Sequence, residues 1–267
     1  MSRAEGVAAR YLRRRDLIVV FAALGGATAL AWIYLIRASA MMADPAMSME
    51  VVRIRAWESW DFLLVFLMWT IMMVGMMVPS AAPTTMVYAA VARKARRQGT
   101  VVAPVAVFVS GYIASWTLFS VFATTAQWAL DRAALLSPMM VTTSPVVGAG
   151  LLVAAGVYQV TPIKLACLEH CQSPAHFISG HWRPGTGGAF RMGLDHGIFC
   201  VGCCWVLMGL LFLGGVMNLL WIAAIAIFVF AEKMVPIRHA QSASRVTGAA
   251  MILVGAALLV RWTVAAG

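Results

Sequence analysis

"HGIFCVGCCW", residues His196–Trp205, places three of the chain's five cysteines within five positions. The sequence then runs directly into "VLMGLLFLGGVMNLLWIAAIAIFVF", residues 206–230, which carries no charge. Whether these thiols belong to a soluble core or to a segment inside lipid decides the fold. With 62% hydrophobic residues, 11% charged and a mean hydropathy of +0.87, the chain lies outside the range of soluble domains and inside that of polytopic membrane proteins. Several apolar runs reach about 20 residues, which a helix needs to cross roughly 30 Å of hydrocarbon, and no alternating pattern points to a β-barrel. The expected fold is therefore all-α: a polytopic transmembrane helical bundle of about seven helices.

The apolar runs place spans at 17–36, 61–92, 101–130, 145–166, 192–214, 218–235 and 246–264. The net charge of +10 could suggest a nucleic-acid partner, but in a membrane protein excess Lys and Arg gathers in cytoplasmic loops. With a cytoplasmic N-terminus, only Arg37, Arg53, Arg55, Arg132 and Arg261 fall outside, leaving 20 − 5 = 15 Lys and Arg inside. That asymmetry predicts an N-in, C-out chain, with the lipid bilayer as partner and no nucleic acid. "RRR" at 13–15 followed by "ASA" at 38–40 imitates a cleavable signal peptide. The apolar run between them exceeds a usual signal core, and Arg37 interrupts its end, so it reads as an uncleaved first helix.

No internal repeat or soluble domain is visible, so residues 1–267 read as a single integral membrane domain. Two connections are long. The external one, 37–60, carries Met41, Met42, Met47 and Met49, a candidate for outer metal capture. The internal one, 164–191, carries Cys167, His170, Cys171, His176 and His181. Two helices are expected to be irregular: the second kinks at Pro79 and Pro83, and in the fourth Pro162 frees the carbonyl of Tyr158, which then needs a neighbouring helix, water or a ligand.

At 100° per residue, Met192, His196, Cys200 and Cys203 fall within an arc of roughly 80°, with Cys204 at its edge. A single buried cysteine is usually a small hydrophobe. A Cys-x-x-Cys-Cys with a His four residues before it, all on one face, is not easily read that way, and an ionisable group inside a membrane is a functional candidate by default. "CLEHC" repeats the spacing, with Cys167, His170 and Cys171 at i, i+3 and i+4; at the cytoplasmic end, reduced thiols favour a metal over a disulfide. A third feature is the methionine row Met68, Met72 and Met76, with Met73 and Met77 beside it. Such a stripe is more often packing, but its depth matches that of Cys200 and Cys203.

Thioether, thiolate and imidazole together select soft ions, with Cu(I) first and zinc or another thiophilic metal as alternatives. The candidate metal ligands are Cys200, Cys203, Cys204, His196, Cys167, Cys171, His170, Met72 and Met76, in an order that would pass the ion from thioethers outside to thiols inside. Tyr158, Gln159, Asp195 and Glu232 are candidate supporting groups or proton carriers. Glu232 also has the alternative of pairing with Lys233.

"WTIMMVGMMVPSAAP", "YQVTPIKLACLEHC" and "GLDHGIFCVGCCWVLMGLLFLGGVMNLLWIAAIAIFVFAEKMVP" resemble the signature blocks of a bacterial family of uncharacterised proteins described as predicted metal-binding integral membrane proteins, with a Cys-x-Gly-Cys-Cys-Trp signature. The resemblance covers about residues 60–240. It implies a multi-pass bacterial inner-membrane protein with metal-linked cysteines. It implies roles for Met72, Met73, Met76, Met77, Pro79, Gln159, Pro162, Lys164, Cys167, Cys171, His196, Cys200, Cys203, Cys204, Trp205, Met217, Asn218 and Glu232. It supplies no activity.

The leading functional expectation is binding of a soft metal, Cu(I) first, for transport or delivery to a soluble metallochaperone or a membrane-complex partner. The alternatives are a membrane thiol-disulfide oxidoreductase using "CVGCC", and a subunit or assembly factor of a membrane metalloenzyme. No nucleotide-binding loop or serine triad is present, so ATP-driven pumping within this chain is not expected.

Overall fold

In a computed structural model the described residues are 14–42, 57–137 and 140–266, with side chains described for 18–41, 57–137 and 140–264. Met47 and Met49 lie outside them. The elements are helices: α1 (Arg14–Met42), α2 (Ser59–Arg97), α3 (Val105–Arg132), α4 (Pro145–Gln159), α5 (Pro162–Gln172), α6 (Pro174–His181), α7 (Gly185–Gly209), the single turn α8 (Leu211–Gly214), α9 (Leu219–Met234) and α10 (Ile237–Ala266). The all-α expectation is met.

Five helices among the described residues are long and apolar enough to cross a membrane, or six if α4 and α5 count as one bent span. The remaining expected span is α9, which has 16 residues, about 24 Å at 1.5 Å per residue, shorter than the hydrocarbon thickness. The exterior is apolar, with Leu118 71% and Leu253 70% exposed. Lys164, Glu232, Lys233, Gln159 and His196 are all buried. Apolar residues outside and charges inside reverse the arrangement that water imposes and fit a lipid environment.

Several expectations are corrected in detail. The first helix does not stop at residue 36 but runs to Met42, so Met41 and Met42 are helical rather than part of a loop; the side chain of Met41 is exposed. α2 continues unbroken for 39 residues through Pro79 and Pro83. The carbonyl that Pro79 frees, on Gly75, accepts a hydrogen bond from the indole Nε1 of Trp32 on α1 at 3.3 Å. The next helix pair is where the chain breaks: α4 and α5 meet at 63°, with only Val160 and Thr161 between them. There the carbonyl of Tyr158 needs no outside partner. It accepts both the backbone N–H of Thr161 at 3.0 Å and the Thr161 hydroxyl at 2.8 Å, while the same hydroxyl oxygen caps α5 by accepting from Lys164 N at 3.3 Å. Pro162 supplies the first residue of α5, where its missing N–H costs nothing. The connection expected over 164–191 is in fact mostly helical, as α5 and α6.

Two helix pairs are held by close backbone approach. On α3 and α7, a Cβ placed at Gly193 would lie 1.9 Å from the Phe108 carbonyl oxygen, and one at Gly111 would lie 2.1 Å from that of Phe190. On α4 and α10, a Cβ at Gly156 would lie 2.5 Å from the Gly248 carbonyl oxygen. Small residues at such crossings let helices pack where no hydrophobic force separates protein from lipid.

Candidate metal centre

The stripe read from the sequence is buried along its length: Met192, His196, Cys200, Cys203 and Cys204 are each at most 2% exposed. α7 supplies it, and α2, α3, α5 and α9 close around it. Cys200 is the hub. Its Sγ lies 2.9 Å from the Nζ of Lys233 on α9 and 3.0 Å from the hydroxyl of Tyr112 on α3. The Tyr112 hydroxyl also donates to the Met77 carbonyl on α2 at 2.9 Å. The Lys233 ammonium donates to Ser80 Oγ at 3.2 Å and approaches Met77 Sδ at 4.0 Å.

The second cysteine motif does not form a separate site. The 63° bend aims α5 so that Cys171 enters the same buried cluster as Cys200 and Cys203. Cys167 is half-buried beside α7, its Sγ 2.8 Å from where a Cβ on Gly202 would stand, so a side chain there would displace the thiol. The His170 Nδ1 interacts with the Ala166 carbonyl at 2.9 Å, and its ring stacks on Phe199 of α7 with centroids 4.3 Å apart.

All five cysteines are free thiols. Cys203 and Cys204 donate to the Cys200 carbonyl at 3.1 and 3.0 Å, bonds within one helix that hold both sulfurs against the backbone. As they stand, no three His, Cys, Asp or Glu side chains among the described residues surround a point where an ion would sit. The donor chemistry nevertheless fits a soft ion: several thiols, the thioether of Met77, and the buried imidazole of His196. That imidazole is flanked by Phe108, Tyr112 and Phe177, and its Nδ1 has no hydrogen-bond partner. A buried unpaired ring nitrogen is a cost that a ligand would remove.

Met68, Met72, Met73, Met76 and Met77 all enter the same buried cluster as Cys200, Cys203 and Cys204. Met77, beside the row, approaches the Lys233 ammonium at the hub. The groups expected to support the site divide into two sets. Tyr158 donates to the carbonyl of Gly202, within the cysteine motif. Gln159 and Glu232 belong to a separate buried network, in which Glu232 Oε1 takes the Lys164 ammonium at 2.6 Å, the Ser244 hydroxyl at 2.7 Å and the Gln159 amide at 3.3 Å. Asp195 is in neither: it pairs with Arg191 at 3.0 Å, one turn away on α7.

Glu232 does not pair with Lys233. Successive residues on a helix point about 100° apart, so Glu232 turns toward α5 and α10 and Lys233 toward α7. The residues that sequence reading missed are Lys233, Tyr112 and Ser80. A lysine beside an acidic residue near a helix end reads as a local pair or an interfacial group, and only the tertiary packing sends it to Cys200.

No curated protein and no solved structure matches the chain. A family model described as "PpoB2: Copper chaperone" matches residues 66–258, a range that includes every cysteine, the Met77 thioether and both buried lysines, and the chain belongs to that family.

Proposed function

We propose that this protein is a multi-pass inner-membrane copper carrier, a single membrane domain that takes Cu(I) as cargo on Cys200 and Cys171 and delivers it to a partner. The observation that carries this reading is the convergence of Cys171, from the far side of a helix break, on the Cys200 and Cys203 pair inside a methionine-lined core. Cys203, Cys204, His196 and Cys167 border this centre as the next donors. Met72 and Met76 line the approach from the outer side, with Met41, Met42, Met47 and Met49 as a capture region beyond them. The mixed thiol, thioether and imidazole donors favour Cu(I) over ions that prefer oxygen.

The N-in, C-out orientation is part of the same proposal. Support comes from contacts that place chain segments at common ends of the bundle. Trp57 donates to Asp131 at 2.8 Å and Thr142 N–H to the Phe212 carbonyl at 2.8 Å, at the ends assigned outside. Gly185 N–H meets the Val101 carbonyl at 3.3 Å, at the ends assigned inside. The partner is a soluble metallochaperone or a membrane complex on the side where the ion is released.

The test is the metal content of the full chain, purified under reducing conditions after growth with copper. Wild type is expected to carry about one copper, and Cys200→Ala and Cys171→Ala to lose most of it. A wild-type protein free of copper under those conditions overturns the proposal.

A further inference from the structure

Lys233 is 4% exposed, and among the described residues no carboxylate lies within ion-pair distance of its ammonium. Its contacts are the Cys200 sulfur, the Ser80 hydroxyl and, more distantly, the Met77 thioether. The nearest buried carboxylate, Glu232, already has its own lysine. A charge this deep is costly unless a counter-charge is at hand, and among the described residues the ionisable groups around it are the thiols and the Tyr112 phenol, of which a thiol gives up its proton more readily. Lys233 therefore sits as the fixed counter-ion of the sulfur cluster.

We propose that Lys233 sets the metal selectivity of this centre by charge balance. The centre takes a monovalent soft ion on two thiolates, Cys200 and Cys171, because that complex carries one net negative charge and Lys233 carries one positive charge. Loading is a ligand exchange: the ion forms two bonds to sulfur, the protons of the ligating thiols leave to solvent, and no electron moves. A divalent ion such as Zn(II) on the same two thiolates makes a neutral complex, leaving the ammonium buried without a counter-charge. A third thiolate would restore the balance for a divalent ion, but Cys203 and Cys204 are held to the Cys200 carbonyl. The low dielectric of the interior makes one unit of unbalanced charge expensive, so discrimination arises from the lysine as well as from the softness of sulfur.

This inference rests on the copper-site reading above, and its test separates the two. The full-length protein in detergent is titrated in competition with a Cu(I) chelator and, separately, with a Zn(II) chelator, as wild type, Lys233→Gln and Lys233→Arg. Lys233→Gln keeps a hydrogen-bond donor near the sulfur and removes the charge. It is expected to weaken Cu(I) binding at least tenfold while Zn(II) binding stays level or tightens, and Lys233→Arg is expected to keep the wild-type preference. Equal losses for both metals in Lys233→Gln, or no change in either, overturn the charge-balance role. Wild type binding neither metal overturns the site itself. Should Lys233→Gln fail to fold, X-ray absorption on Cu(I)-loaded wild type decides: two sulfur neighbours support the proposal, and three or more overturn it.

Discussion

At the scale of single residues, the protein holds two lysines in its interior and solves each differently. Lys164 has a carboxylate at 2.6 Å, and the Ser244 hydroxyl, which accepts from Lys164 at 2.7 Å and donates to the same Glu232 oxygen, closes a three-membered ring. Breaking a buried pair by removing one partner costs about 3–5 kcal/mol, because the other charge is stranded, whereas removing both is far milder. Lys164→Met is therefore expected to lower stability by about that amount, and Lys164→Met with Glu232→Gln to recover most of it, read as unfolding in a detergent titration. Equal losses in the single and double variants would show that the pair itself contributes little. The cysteine stripe on α7 was legible in the sequence because helical period alone puts Met192, His196, Cys200 and Cys203 on one face. Lys233 at the Cys200 sulfur was not, since no local pattern says which of two neighbouring charges faces which helix.

At the scale of elements, the approach of α3 to α7 sets the distance between Tyr112 and Cys200, and glycine makes that approach possible. At Gly193 a methyl group would press on the backbone of Phe108 rather than on a side chain that can move. Gly193→Ala is expected to cost about 1–3 kcal/mol, as overpacking does. Gly150→Ala on α4, where nothing lies within 4 Å of the added carbon, is the matched control and is expected to change little, with thermal unfolding as the measurement. Hydropathy made the long helices readable, and Pro162 marked the break between α4 and α5. It did not show which proline would break the chain. α2 absorbs Pro79 because Trp32 reaches in from a neighbouring helix, while Pro162 follows a threonine that caps the new helix. The decisive difference lies in a tertiary contact at one proline and a local one at the other. The merging of two cysteine motifs into one centre follows from that bend, and spacing along the chain could not reveal it.

At the scale of the whole molecule, α9 decides the topology. Its 16 residues fall short of a full span, yet α7 and α9 are antiparallel about the turn at Gly215, whose φ of +97° suits glycine, and Lys233 returns to the level of Cys200. If α9 brings the chain back to the inner side, α10 leaves again and the C-terminus is outside. Reporter fusions at residue 267 are expected to give active alkaline phosphatase and non-fluorescent green fluorescent protein; the reverse pattern would place both termini on one side and remove α9 from the count of spans. The bundle's class and approximate span number were legible from composition, and the expected span at 218–235 already lay close to the bounds of α9. The neighbouring Glu232 and Lys233 also bear on biosynthesis. Each would burden insertion of α9 if it entered lipid alone. Ribosomal synthesis delivers Lys164 and Cys200 first, so α9 emerges when its partners for both charges already exist, and Ser244 arrives afterwards to complete the ring. The order of residues along the chain is thus also a workable order of assembly, in which no charge has to wait long for its counterpart.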